Sequence, residues 1–533
     1  MTNLRFEYLS THNDLKDAIF IHKSDENSRK ECVKKGIGSV FTYFEFQVSS
    51  AVLSFYQETS MFKKYLFLFL ITVLAGCTQI EGFFQEDEAS TILLLYTNDE
   101  HGHIYENDGW YKGVALYEMW EEEEKNCKNC SVIKLSGGDN YTGTAVSTFF
   151  KGESMAKIMG LLGYRVSALG NHEFDFGERE LKNNAQTAKM QYISSNVVSK
   201  DMKNLFDPSV VLYAGNEKIL FASAITEDVK RISIAKPFVE SMIAKPGNTV
   251  LRAIFKENTD LNIIVAHESY NEAKTWVSAL AKKPLAVFTA HDHKEALVEE
   301  NGVLFIQNAG YLPSYARVQI EKKGKISKVV HAEIVPLKKE ISLTSAGAQE
   351  VKKTIDKYLL QLEKQAGKKL ISAEKPLDTP ALQKLFACSL LRAFPEYDAA
   401  FSNPGGFRDS IKAGDIKKSD ILSVFPFDNF IVKATVHGED LIFDIEKSKN
   451  AYCGAIQKDG KWFVGNKEID KSKSYKIITT DFIYQGGDGY RFTNSQGVTT
   501  TVSWRTPLEK YLIESSKKGM NLEKACEELF KEK

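Results

Sequence analysis

Five apolar stretches in this sequence end in residues that bind cations or move protons. Residues 92–96 (ILLLY) run into Thr97-Asn98-Asp99-Glu100-His101-Gly102, and residues 132–135 run into Ser136-Gly137-Gly138-Asp139. Residues 166–169 lead to Gly170-Asn171-His172-Glu173-Phe174-Asp175, residues 261–266 to His267, and residues 285–290 to His291-Asp292-His293. Asp carboxylates, Asn carbonyls and His imidazoles are hard-to-borderline ligands suited to Zn²⁺, Mn²⁺ or Fe. Any one of them alone reads as a turn, a helix cap or a hydrogen-bonded core histidine. Five together, in a chain with 10 His, point to a metal centre. Asp99 and His101, two residues apart, would share one side of an extended segment, as would His291 and His293.

The elements that must position these residues are buried strands. In an open α/β sheet, ligands collect outside the carboxyl ends of the strands, where the loops converge. The length of 533 residues allows three to four domains at roughly 150 residues each. Hydrophobic residues at 43% and charged residues at 26% are ordinary globular values, which excludes disorder, collagen-like repeats and a polytopic membrane protein. Lys+Arg 69 against Asp+Glu 70 gives a net charge of −1. No global field therefore recruits a nucleic-acid polymer or an acidic membrane surface, and an anionic ligand needs a local site. Seven Cys are too few for a disulfide-built scaffold. Cys127 and Cys130 (CKNC) read as a local disulfide or two idle thiols.

Residues 65–76 (YLFLFLITVLAG), preceded by Met61-Phe62-Lys63-Lys64, are too short for a transmembrane helix but suit a signal peptide. Their end, Leu74-Ala75-Gly76-Cys77, resembles a bacterial lipobox, which predicts cleavage before Cys77 and lipid on its thiol. The expected organisation is an extension with no chemical motif over 1–60, translation starting at Met61, and a lipoprotein signal over 61–77. A tether over 78–90 follows, then a first domain over 91–338, a linking segment over 339–369 and a second domain over 370–533. Val351, Ile355, Leu359 and Leu362 recur at helical spacing, so residues 346–366 read as a long, mostly exposed helix between the domains.

The ordered motifs DxH, GD, GNHE, strand-end His and HxH resemble those of the calcineurin-like metallophosphoesterase superfamily. Residues 170–177 (GNHEFDFG), 97–102 (TNDEHG) and Ser195-Asn196-Val197 narrow the resemblance to the 5′-nucleotidase/UDP-sugar hydrolase family, over about residues 91–510. That resemblance implies an α/β four-layer sandwich followed by an α+β C-terminal domain. It implies a dinuclear centre bridged by Asp139, with Asp99, His101 and His293 completing one site and Asn171, His267 and His291 the other. By the same resemblance, the metals would be two divalent ions from among Zn, Mn, Co, Mg and Fe. His172 and Asp175 match the family's catalytic dyad, and a metal-bound water is expected to attack phosphorus. Ala290 stands where relatives often have Gly, which is expected to perturb the turn without removing a ligand. His103 matches no ligand and is expected to be a nearby polar residue.

The second half carries further matches: Asn403-Pro404-Gly405-Gly406-Phe407-Arg408, then Pro426-Phe427-Asp428-Asn429, then residues 481–490 (DFIYQGGDGY). By resemblance, Phe427 and Phe482 clamp a nucleobase, Asp488 holds ribose hydroxyls, Arg408 binds phosphate, and Asn403 and Asn429 line the base pocket. Aromatic faces stack on any base, at roughly 1–3 kcal/mol each. Relatives carry additional Arg just ahead of this domain's first helix, whereas residues 373–380 (AEKPLDTP) contain none. Lys375 or Lys384 would have to substitute, as a point charge rather than a fork. The expected activity is metal-dependent hydrolysis of phosphate esters of extracellular nucleotides by a protein lipid-anchored through Cys77 to the bacterial cell envelope. Cyclic 2′,3′-phosphodiesters, UDP-sugars and sulfur-bearing substrates stay open, as does a non-catalytic surface nucleotide binder.

Overall fold

The computed structural model describes residues 90–531, apart from 234–238, 256–258, 260, 325 and 493–494. The expected extension, the leader with Cys77, and the tether up to residue 89 lie outside the described residues. No described helix is long and apolar enough to cross a membrane.

Two six-stranded sheets form the first domain. Across the first, the strands run Ile326–Pro336, Ser314–Lys323, Ser90–Thr97, Cys130–Ser136, Val166–Ala168 and Gln191–Ile193. Across the second they run Ala296–Glu300, Val303–Gln307, Ala286–Phe288, Leu261–His267, Glu217–Ile225 and Ser209–Ala214. The last four strands of the first sheet, Ser90–Thr97 to Gln191–Ile193, and the central four of the second are parallel, so their carboxyl ends finish along common edges.

Side chains alternate between two cores because successive residues of a strand face opposite ways. Ile92, Leu94 and Tyr96 enter the core between the sheets, together with Ile219, Phe221, Ile263 and Val265 of the second sheet. Leu93 and Leu95 face the other way, onto the helices Lys112–Asn126, Glu153–Leu162 and Ala346–Ala366. Leu220, Ala222 and Ile264 face the helices Gly247–Ile254 and Tyr270–Ser278. The layers are therefore helix, sheet, sheet, helix. Strands buried on both faces read as unbroken apolar runs, which is how these appear in the sequence.

The second domain is α+β, as expected. Its five-stranded sheet runs Tyr452–Cys453, Ala399–Phe401, Ser474–Thr480, Phe430–His437 and Gln496–Ser503. One face packs on Thr379–Ala393, Arg505–Lys517 and Leu522–Lys531 and the other on Gly438–Ser448.

The linking helix departs from the sequence reading. It spans Ala346–Ala366 but is not mostly exposed, because Val351, Ile355, Tyr358 and Leu362 bury one face in the first domain's core. Cys127 and Cys130 pair, and a second disulfide, Cys388–Cys453, had no signal in the sequence because its partners lie 65 residues apart. It staples the helix Thr379–Ala393 to the edge of the five-stranded sheet. Closing a loop of that length restricts the unfolded chain, so replacing both cysteines by Ala is expected to cost about 2–4 kcal/mol. Denaturant midpoints of the two proteins measure this, and equal midpoints would contradict it.

Candidate active site

The strand tips of the first domain bring the expected ligands together. Asp99, His101 and His293 form one group whose donor atoms lie within 4.8 Å of one another, and Asp139, His267 and His291 form another. Asp139 faces both groups: its Oδ2 lies 3.8 Å from His101 Nε2 and 3.3 Å from His267 Nε2. Its Oδ1 accepts the backbone N–H of His172 at 2.8 Å, which fixes the direction of Oδ2. Asn171 Oδ1 stands 3.3 Å from His267 Nε2, in the second group.

Neighbours aim the imidazoles. The Nδ1 of His101 meets Thr142 O at 2.6 Å and that of His267 meets Gly137 O at 2.8 Å, leaving each Nε2 to the site. Such contacts fix the tautomer and orientation of metal-ligating histidines. Glu173, which the sequence reading passed over, is buried and accepts the backbone N–H groups of Asp139, Asn140 and Gly170 at 2.6–2.7 Å. It shapes the loop that carries Asp139.

Asp99 and His101 do not lie on an extended segment, because the strand ends at Thr97. Both adopt left-handed backbone (φ 50° and 46°), as do Asp139 (57°), His291 (78°) and His293 (57°). Non-glycine residues pay for that conformation by roughly 1–3 kcal/mol each, and it concentrates at functional sites. Ala290 is not among the positive-φ residues, so the turn proceeds without the family's Gly; the left-handed residues are the two histidines after it.

The donor set fits a pair of divalent cations. Asp99 and Asp139 are at most 2% exposed, and buried carboxylates require positive charge beside them. Burial opposes ionisation of Asp139, but His267, His172 and His101 outweigh it and hold the carboxyl well below its usual range. Against burial, Asp139 and Asp99 push His267 up to about 10, so the carboxylates draw positive charge to this point. Burial holds His291 down to about 4, an imidazole kept neutral as a ligand requires.

His172 belongs to neither ligand group. Its Nδ1 meets Asp175 Oδ2 at 2.8 Å, so the other ring nitrogen is free of that carboxylate. Burial works against its protonated form, yet Asp175 and Asp139 raise it above the ordinary value. His103 stays outside the ligand groups, its Nδ1 2.7 Å from Glu106 Oε1.

A cavity of about 420 Å³ joins this cluster to the second domain. Asp139, Asn171, His172, His291 and His293 line it on one side, and Asn403, Arg408, Phe427, Asn429, Phe482 and Asp488 on the other. Arg408 Nη2 reaches His101 Nε2 at 3.4 Å, and its buried Nε has no partner among the described residues. Phe427 stacks on His172 at 5.2 Å and 23°, so that ring already covers one aromatic face. Asp488 accepts from Asn403 Nδ2 at 2.7 Å, and Asn429 donates to Asp481 at 2.8 Å. Neither Lys375 nor Lys384 lines the cavity, and Lys384 lies over the Phe530 ring instead. Sequence reasoning also missed Tyr311 and Ile232, which line it, and the pair that shapes the Phe427 loop. There, Arg505 donates to Phe425 O and Phe427 O, and Trp504 Nε1 donates to Phe427 O.

Comparison with known proteins agrees with the two-domain fold. Residues 369–460 match the family described as 5′-nucleotidase, C-terminal domain. Protein UshA of Escherichia coli is 25% identical over 511 residues, spanning 81% of this chain and 92% of its own. A 5′-nucleotidase of Vibrio cholerae is 25% identical over 510 residues, with the same coverage of 81% and 92%. The crystal structure of a 5′-nucleotidase precursor from Thermus thermophilus superposes with a TM-score of 0.67 at 21% identity, covering 80% of this chain and 96% of that one. With its two domains, its ordered motifs and its paired candidate ligand groups, the chain carries a 5′-nucleotidase C-terminal domain and is similar along most of its length to 5′-nucleotidases, which are metal-dependent phosphoesterases.

Proposed function

We propose that this protein hydrolyses phosphate esters of extracellular nucleotides, with the reacting phosphoryl group at the His/Asp cluster and the nucleoside against the second domain. The observation that carries the reading is the single cavity shared by the ligand groups, His172 and the six second-domain residues. Asp99, His101 and His293 would hold one cation; Asn171, His267 and His291 the other; Asp139 both. When bound, two divalent cations neutralise phosphoryl oxygens and bring a water's pKa near neutrality.

The chain's own groups supply the rest. Arg408 presents guanidinium N–H groups to the phosphoryl oxygens, a fork suited to that geometry. Asp175 holds His172 by Nδ1, so that the proton on Nε2 is available to the leaving oxygen. Phe427 and Phe482 offer aromatic surface for the base, and Asp488 a carboxylate for ribose hydroxyls.

A second reading follows from charge. Arg408 is the only Arg or Lys among the described residues lining the cavity, where Asp139, Asp292 and Asp488 also face inward. With so few basic side chains beyond the cation pair, the site favours phosphodiesters, which carry one negative charge per phosphate, over dianionic monoesters. Phosphate-release assays with added Mn²⁺, Zn²⁺ or Co²⁺ on AMP, UDP-glucose and 2′,3′-cyclic AMP decide, coupling the diester assays to a phosphatase. Faster turnover of AMP supports the first reading and faster turnover of a diester the second. Binding of adenosine with no hydrolysis under any metal would leave a nucleotide binder.

Two disulfides support an oxidising, exported location. We place the anchor at Cys77, whose Ala variant is expected to move from the detergent phase to the aqueous phase.

A further inference from the structure

We propose that Tyr311 is a positioning residue for the Asp99/His101/His293 half of the metal centre, locked in place by the chain Lys112–Glu106–His103. The proposal rests on the metal reading above and extends it to residues outside both ligand groups.

The starting point is an asymmetry among the imidazoles. His101 and His267 are each oriented by a backbone carbonyl on Nδ1. Among the described residues His293 has no hydrogen bond on Nδ1, and its side chain is 24% exposed, against 0% for the other two. What holds it is packing. The backbone of Gly310 lies so close that a Cβ there would sit 2.6 Å from His293 Cγ and Nδ1. The Tyr311 ring meets His293 edge-on at 4.9 Å and 86°, and also touches His101 at 5.5 Å.

Tyr311 is in turn held against its own preference. Tyr311 and Leu312 are consecutive non-glycine residues in the left-handed region, at φ 72° and 54°. Such backbone persists only where its surroundings over-determine it. Here Tyr311 N donates to Asp99 O at 2.7 Å, tying the turn to another member of the same ligand group. Lys112 Nζ donates to Tyr311 O at 2.8 Å and pairs with Glu106 at 2.5 Å. Glu106 meets His103 Nδ1 at 2.7 Å, and the His103 ring returns to Tyr311 at 4.7 Å. The loop of contacts is closed, and it gives a role to the one histidine of the DEHGH run that lies outside the ligand groups.

Supporting residues of this kind typically change metal affinity 10–100-fold. The test counts Mn²⁺ bound by metal-free protein on titration, with elemental analysis of the product. Wild type is expected to take two ions, and Tyr311→Ala one ion with the second weakened at least about tenfold. Tyr311→Phe, which keeps the ring, is expected to restore both. Adding Tyr311→Ala to His293→Ala should change nothing further, whereas adding it to His267→Ala should remove the remaining tight site. Lys112→Met, remote from the ligands, is expected to weaken the same single site and decides the matter should Tyr311→Ala not fold. Two tight ions in Tyr311→Ala, equal weakening of both sites, or no rescue by Phe would overturn the proposal. A wild-type protein that takes up no metal would instead overturn the metal reading beneath it.

Discussion

His172→Ala is expected to lower kcat about 10²- to 10⁴-fold, the usual range for a positioned general acid, while the protein still takes up two cations. The separation of the two effects follows from geometry. His172 is outside both ligand groups, and its Nδ1 is engaged by Asp175 at 2.8 Å. What it gives the Asp139 loop is its backbone N–H, on Asp139 Oδ1, and Ala keeps that donor. The Phe427 ring loses its stacking partner, so KM is expected to rise as well. Asp175→Asn should show a smaller loss of kcat, because the imidazole remains but its Nδ1 partner is no longer charged. Steady-state kinetics beside a metal count check both. Unchanged kcat, or a metal count that falls with it, would remove His172 from the chemistry.

The largest effect is expected from Asp139→Asn. The carboxylate's Oδ2 faces His101 and His267, one from each ligand group, so both cations lose affinity together. The substitution is nearly isosteric and Asn can keep the bond from His172 N, so the fold should survive it. Cation stabilisation of the transition state supplies several kcal/mol, and each 1.4 kcal/mol is tenfold in rate. A fall of roughly 10³-fold or more is therefore expected at limiting metal. Asp292→Asn is the control: Asp292 lines the same cavity between two candidate ligands but belongs to neither group, and accepts from Gln307 Nε2 instead. It is expected to keep both cations. Two tightly bound ions in Asp139→Asn would show that the bridge is misassigned.

The sequence made the strand tips visible because strands covered on both faces must be apolar throughout, so a polar residue at their end stands out. The same rule, applied once more, finds Tyr311. The strand Val303–Gln307 also runs into a polar, Gly-containing turn, Asn308-Ala309-Gly310-Tyr311, with Asn308 buried against Tyr96 and Asn98. Other features had no local signature. The left-handed backbone at five candidate ligands is imposed by tertiary contacts, such as the bonds from Asp99 N to Gly138 O and from His101 N to Asp139 O. Glu173 sits inside a quoted motif, yet its role is to collect N–H groups from two loops, one of them more than thirty residues upstream. Trp504 and Arg505 shape the Phe427 loop from 77–80 residues away. The linking helix showed its apolar stripe, but the stripe alone does not say which core it enters, and it is the first domain's helix layer that covers that face.

The central claim is that separate strand tips enclose a pair of cations sharing Asp139. Anomalous diffraction from crystals of the protein grown with Mn²⁺ tests it directly. The expected map has two peaks about 3.5–4 Å apart. One would lie against Asp99, His101 and His293, the other against Asn171, His267 and His291, and Asp139 would touch both. A single peak, or peaks away from these side chains, would contradict the account.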